Sequence, residues 1–230
     1  MKIIYPKSPI NYPPMGALYL FQAIKDNTNL EVELLPSDIP FEELKEKLSS
    51  TDLVGMSVST SPEISNFVNL SKNLRMGAGG TKIVWGGIHP TLNKNQVSNE
   101  MYVDHVLTGF GEKTFPKVAE DIQNNYIVPR NIECEEINNL DEFMPDREQV
   151  LPLSQFLYPE KHSVKSGEIE DKNIFYYLTT SRGCNRGCGF CSIPTMRQKK
   201  KKNHSFDWVD YELDWIQEQL KREGTKMDGI

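Results

Sequence analysis

The densest chemistry in the sequence is the run CNRGCGFC, which places Cys184, Cys188 and Cys191 at CxxxCxxC spacing on one short stretch. Three thiolates so arranged can ligate three irons of a cubane iron–sulfur cluster and leave the fourth iron open to a substrate. Gly183, Gly187 and Gly189 suit a loop that folds tightly around a bulky inorganic ion, since glycine reaches backbone angles closed to other residues. Backbone amides of such a loop can also donate to the cluster sulfurs and tune its potential. Zinc is the competing reading. A closed structural zinc site takes four ligands, and in the absence of a second CxxC pair the fourth would be His204 or Cys134. Cys134, in a Glu-rich segment, otherwise reads as a plain thiol.

Such a loop must be held by the elements on either side of it. The β-branched and aromatic stretch IFYYLTT predicts a strand over 173–180 directly before the cysteines. After them, Trp208, Tyr211, Leu213, Trp215, Ile216 and Leu220 fall at helical spacing over 206–222, with Ser205 as a cap and Gly224 as a stop. Asp207, Asp210 and Glu212 suit the start of that helix, and Trp208 and Trp215 are expected to pack inward. One strand, one loop and one helix enclose no core of their own. Residues 173–230 are therefore expected to be the incomplete opening of a β/α barrel, poorly ordered and not catalytic by themselves.

Upstream, residues 1–125 alternate short β-rich runs with amphipathic stretches, the pattern of a doubly wound parallel sheet covered on both faces. Strands are predicted over 2–5, 30–34, 52–58, 82–85 and 103–107, and helices over 15–26, 41–48, 63–76, 92–98 and 112–124. Five β-α units result. Residues 126–172, acidic and Pro-containing, read as a connection. In open parallel sheets ligands bind at the carboxyl ends of the strands. Small and polar residues collect in those loops: Pro14 and Gly16; Ser57, Ser59 and Thr60; Gly86, Gly87 and His89; Gly109, Gly111 and Glu112. Glycines there let backbone approach a large ligand, and the hydroxyls can meet amide or phosphate groups. The plainer readings are that Gly86 and Gly87 only turn the chain, that Ser57 to Thr60 cap a helix, and that His89 is a structural loop histidine. His105, within a strand, reads as structural, and His162 gives no signal.

The cysteine loop resembles the signature of the radical S-adenosylmethionine superfamily, CxxxCxΦC, with Phe190 as the aromatic before the last cysteine. The resemblance implies a 4Fe-4S cluster on Cys184, Cys188 and Cys191 whose open iron chelates the amino and carboxylate groups of S-adenosylmethionine, with Phe190 near the adenine. It also implies reductive cleavage to methionine and a 5'-deoxyadenosyl radical, which abstracts hydrogen from the substrate, and an electron donor such as flavodoxin or ferredoxin. The segments NYPPMGALYL, GMSVSTS, VWGGIHPT and TGFGEKTF look like the cobalamin-binding domain that precedes the radical module in one large class of these enzymes. That likeness implies that the rim residues above contact cobalamin. The sequence departs from better known cobalamin domains in lacking DxHxxG after its first strand, so no histidine is placed to ligate cobalt from below. The implied activity is methyl transfer to an unactivated carbon of a small molecule, with radical cyclisation or rearrangement as the alternative. A non-catalytic cobalamin- or cluster-binding protein is the reading from a different class.

Composition bounds the rest. A chain of 230 residues with 38% hydrophobic and 25% charged residues is ordinary globular material, large enough for more than one unit. The net charge of -6 argues against nucleic acid as a partner. The run Lys199 to Lys202 reads as a solvated loop before it reads as a dock for an acidic substrate or donor protein. No stretch approaches a membrane span and the N-terminus lacks the apolar core of a signal peptide, so a cytoplasmic location is expected.

Overall fold

The structure is a computed structural model that describes residues 1–7, 13–48, 53–77, 80–153, 158–160, 173–175, 178–193, 196 and 200–225. His162 and Lys199 lie outside the described residues. The central element is a parallel six-stranded sheet of order β2-β1-β3-β4-β5-β6. Its strands are β1 (Lys2–Tyr5), β2 (Glu33–Pro36), β3 (Leu53–Ser57), β4 (Lys82–Gly86), β5 (His105–Thr108) and β6 (Asn131–Glu133). The helices are α1 (Met15–Asn27), α2 (Phe41–Glu46), α3 (Ile64–Gly77), α4 (Ile88–Leu92), α5 (Lys94–Ser98) and α6 (Phe115–Gln123).

Successive strand side chains point to opposite faces, and here both faces are apolar. Ile4, Val54, Ile83, Trp85 and Val106 enter one core with Phe67, Leu70 and Leu74 of α3. Ile3, Leu53, Val84 and Leu107 enter the other with Ala17 and Ile24 of α1 and Phe115 and Val118 of α6. Trp85 carries the polar atom of the first core, and its indole N–H donates to Ser71 Oγ at 3.0 Å. Gly55 is where α6 comes nearest the sheet: a Cβ there would lie 2.7 Å from Phe115 Cζ. Removing a Leu- or Ile-sized side chain from either layer should cost about 2–5 kcal/mol.

Three expectations are corrected. The sheet has six strands rather than five, because β6 forms within the segment read as a connection. Its residues Asn131, Ile132 and Glu133 pair with Val106, Leu107 and Thr108, and a strand of three residues is too short for its alternation to betray it. The helix predicted over 92–98 is two short helices meeting at Asn93, whose side chain bonds back to His89 rather than continuing one turn into the next. The strand predicted over 173–180 is described as β8 (Asn173–Phe175), antiparallel to β7 (Tyr158–Glu160).

The segment after β8 does form a short ladder. β9 (Ser181–Arg182) pairs antiparallel with β10 (Lys202–Asn203), and α7 (Phe206–Arg222) follows, capped by Ser205 Oγ accepting from Trp208 N at 3.1 Å. Helix α7 finds its core partly on the first domain. Ile216 and Leu220 pack with Leu18 of α1 and Leu153, all 2% exposed or less. Each such buried side chain contributes roughly 1.5–3 kcal/mol. The intervening segment adds polar ties: Asp146 pairs with Lys25 at 3.0 Å, Arg147 with Glu212 where both are almost fully buried, and Asp141 with His204 at 2.7 Å. No helix among the described residues is long and apolar enough to cross a membrane.

Candidate functional site

The sheet order reverses between β1 and β3, and at such a switch point the loops leaving neighbouring strands diverge and open a crevice. A cavity of about 760 Å³ lies there. Its floor comes from Pro14 and Gly16, Ser57 and Ser59, Gly86 and Gly87, and Gly109, Gly111 and Glu112. Its roof comes from residues that bracket the cysteine loop: Thr179, Ser181, Arg182 and Gly183 before it, Ser192, Ile193 and Met196 after it. Thr60 and His89 do not line it. His89 is buried, its Nδ1 3.3 Å from Asn93 Nδ2, and burial holds its imidazole below the usual histidine range. Among the described lining residues there is no histidine.

The floor is shaped by backbone. Gly87 has φ 98° and ψ −162°, a region essentially closed to other residues, and it lies against the end of β3. Val58 N donates to Gly86 O at 2.8 Å and His89 N to Val58 O at 2.9 Å. Thr91 was not singled out by sequence, yet its hydroxyl donates to Gly87 O at 2.7 Å and accepts from Gly109 N at 3.0 Å, tying two rim loops together. Gly109, also at positive φ (96°), turns the chain under Cys134. A Cβ added at Gly16 would meet nothing within 4 Å, so the cradle is open where α1 begins.

The roof is attached by residues that sequence reasoning missed. Arg182 Nη1 donates to Glu112 Oε1 at 2.5 Å, and its guanidinium lies 4.3 Å from the Tyr19 ring centroid and 4.9 Å from that of Phe110. These partners are distant in sequence, Glu112 by 70 residues and Tyr19 by far more, so no local pattern marks them. A second cavity of about 490 Å³, lined by Glu135, Lys200 and Lys202 among others, shares Gly109, Phe110, Arg182 and Met196 with the first. Lys202 is not a solvated member of a lysine loop, as expected, but reaches Glu136 at 2.7 Å and Asn138 at 3.3 Å.

Cys184, Cys188 and Cys191 are free and half-buried. Arg186 N donates to Cys184 Sγ at 3.4 Å, and Asn185 Oδ1 accepts from Lys201 N at 2.7 Å. Among the described residues no three His, Cys, Asp or Glu side chains stand close enough together to hold a metal. Phe190 is 94% exposed and lines neither cavity. His204, weighed as a zinc ligand, instead stacks on Trp208 at 3.6 Å and binds Asp141 through Nδ1. Cys134 is buried, which pushes its thiol up to about 12, with nearby Glu112 acting in the same direction.

A parallel sheet with a glycine-rimmed crevice at its switch point defines a nucleotide- or cofactor-binding α/β domain, and the family follows from comparison. Residues 1–119 match the B12 binding domain, and the chain belongs to that family. An uncharacterized methyltransferase of Pyrococcus horikoshii is 24% identical over 87% of this chain and 45% of its own length. Two solved structures each cover 99% of the chain. One is the radical S-adenosylmethionine methyltransferase TsrM from Kitasatospora setae, with cobalamin and a 4Fe-4S cluster bound (18% identity, TM-score 0.63, 47% of its chain). The other is the cobalamin-dependent S-adenosylmethionine radical enzyme OxsB with aqua-cobalamin bound (16% identity, TM-score 0.69, 33% of its chain). The chain spans less than half the length of each of these three proteins.

Proposed function

We propose that this chain forms the cobalamin-binding domain and the cluster loop of a cobalamin-dependent radical S-adenosylmethionine enzyme whose reaction is methyl transfer to a small molecule. The observation that carries the reading is the single cavity whose floor is the glycine rim of the B12-binding domain and whose roof is the chain on both sides of CxxxCxxC. The cysteines themselves are not among the described lining residues, but the residues that flank them are.

The rim suits a cobalamin by its shape; the loop suits an iron–sulfur cluster by its three thiols, which among the described residues do not stand close enough together to hold a metal. Gly16 leaves open space where a large flat ligand must approach, and the lining is mostly apolar, as cofactor sites are. The loop offers three free thiols, with a backbone N–H already directed at one sulfur, and thiolates are the usual ligands of iron–sulfur clusters. Bound together, the cofactors would supply a transferable methyl group and a one-electron reductant for S-adenosylmethionine. This chain's residues hold and orient. Thr91 fixes the spacing of the Gly87 and Gly109 loops, and the Arg182–Glu112 pair holds the roof on the floor.

Anaerobic reconstitution followed by metal analysis and titration with hydroxocobalamin tests the reading. About four irons per chain are expected, lost in Cys184→Ala, Cys188→Ala or Cys191→Ala and kept in Cys134→Ala. Hydroxocobalamin should bind with no histidine nitrogen coupled to cobalt after reduction. Stoichiometric zinc without iron, or a histidine coupling that His89→Ala abolishes, would sink it.

A further inference from the structure

Arg182 stands two residues before Cys184, and nothing in the cysteine signature calls for it. Its side chain is 13% exposed and its carboxylate partner Glu112 4% exposed, so the ion pair is screened from water on both sides. Tyr19, itself 1% exposed on α1, and Phe110 on the rim both lie within cation–π reach of the guanidinium. These three partners belong to the first domain. Arg182 also pairs through β9 with Lys202 of β10, on the far side of the cysteine loop, and Lys202 is itself held by Glu136 and Asn138. Immediately after Arg182, Gly183 at φ 85° turns the chain out toward the cysteines.

We infer that Arg182 is the positioning residue that fixes the cysteine loop over the B12-domain rim, acting as a clamp between Glu112 and the rings of Tyr19 and Phe110. The inference rests on the proposed function for its purpose, but its geometry does not depend on any bound group. A planar guanidinium suits this place because it can accept two aromatic neighbours while donating in its own plane to a carboxylate. The loop's other hydrogen bonds, those from amides to Cys184 Sγ, Asn185 Oδ1 and Cys188 O among them, lie within the loop and its own strand pair. Released from the clamp, the loop keeps its shape but loses its place. Because Arg182 and Phe110 line both cavities, the clamp also forms part of the wall between them.

The test uses the full chain and two readouts. In hydrogen exchange, Arg182→Gln and Glu112→Gln should each speed the amides of 181–183 and 201–203 by roughly tenfold or more, since removing one partner of a buried ion pair is strongly destabilising. The amides of β3 should be unaffected. In the second readout, Cys184 carries a nitroxide in a Cys188→Ser, Cys191→Ser background, the buried Cys134 thiol remaining unlabelled. Its dipolar distance to reduced cobalamin should be narrow in the parent, broad in Arg182→Gln and intermediate in Arg182→Lys, which keeps the charge but not the planar fork. Unchanged exchange and an unchanged narrow distance in Arg182→Gln would overturn the clamp. Should Arg182→Gln also lose protection in β3, Arg182→Lys decides: a loop as loose there as in the Gln variant overturns it. Failure of the parent protein to bind hydroxocobalamin would instead refute the cavity assignment, while the exchange arm still judges Arg182.

Discussion

Replacing Gly87 by Ala puts a methyl group where the backbone leaves no room. At φ 98° and ψ −162° the residue occupies a region that costs a non-glycine about 1–3 kcal/mol. The new Cβ would also stand 3.0 Å from Val58 O and 3.1 Å from Val58 N, backbone atoms of the chain leaving β3. Backbone at the end of a central strand gives way only by moving the strand, which adds about 1 kcal/mol or more of overpacking. A total of about 2–4 kcal/mol lowers the melting temperature by roughly 5–15 °C for a chain of this size. Two neighbours serve as controls for the same addition. At Gly86 the Cβ would meet Leu107 Cβ at an ordinary 3.7 Å, so the Ala variant should stay within about 1 kcal/mol of the parent. At Gly16, in the first turn of α1 with open space around it, Ala should be neutral or stabilising by about 0.5–1 kcal/mol. Yet the Gly16→Ala methyl stands in the cradle, so this variant should bind hydroxocobalamin more weakly while melting no earlier. Thermal unfolding by circular dichroism and cobalamin titration on the three variants decide the matter. A Gly87→Ala protein that melts with the parent would refute the account of the rim.

Thr91→Val should cost about 1–3 kcal/mol by leaving Gly109 N without its acceptor, whereas Thr91→Ser keeps the bridge; urea melts of the pair measure it. Glu212→Ala should cost about 3–5 kcal/mol because it removes one partner of a buried ion pair, and the same melts would show no loss if the pair were exposed. At neutral pH Cys184, Cys188 and Cys191 should alkylate and Cys134 should not, as mass mapping would show. Since the Cys134 thiol is pushed from 9.0 to about 12, the unfolded chain loses that proton first, and stability should fall as pH rises from 9 toward 12 in the parent but less in Cys134→Ala. His204 runs the other way. Burial lowers it despite the opposing pull of Asp141, so its contribution is present above 6.5 and lost as pH falls below, a slope that His204→Gln should flatten.

The central strands were legible because β3 and β4 are buried on both faces and read as unbroken apolar runs bounded by turn residues. Helix α7 was legible to the residue, its apolar spacing and Ser205 cap both being local signals. β6 was not, since an edge strand of three residues with one apolar side chain carries no period to detect. The rim glycines declared themselves by type and place, but what organises them did not. Thr91 acts through one hydroxyl shared between loops, and Arg182 through partners on α1 and on the rim after β5. A charged residue beside a glycine looks like surface until the fold brings rings and a carboxylate to it.

Helix α1 has little free surface. Ala17 and Ile24 face the sheet, Leu18 faces α7, and Tyr19 supports Arg182, while Gly16 opens onto the cavity. One inserted residue turns every later position of a helix by about 100°. In α3, which packs on a single core, such a slip near the end could be absorbed at the loop. In α1 it would swing Leu18 and Tyr19 off their partners together, so a register change chosen to suit the sheet would spoil the seat of α7 and of the cysteine loop. The length of α1 between Pro14 and Leu18 therefore has little room to vary, and insertions and deletions should be tolerated after Asn27 well before they are tolerated there.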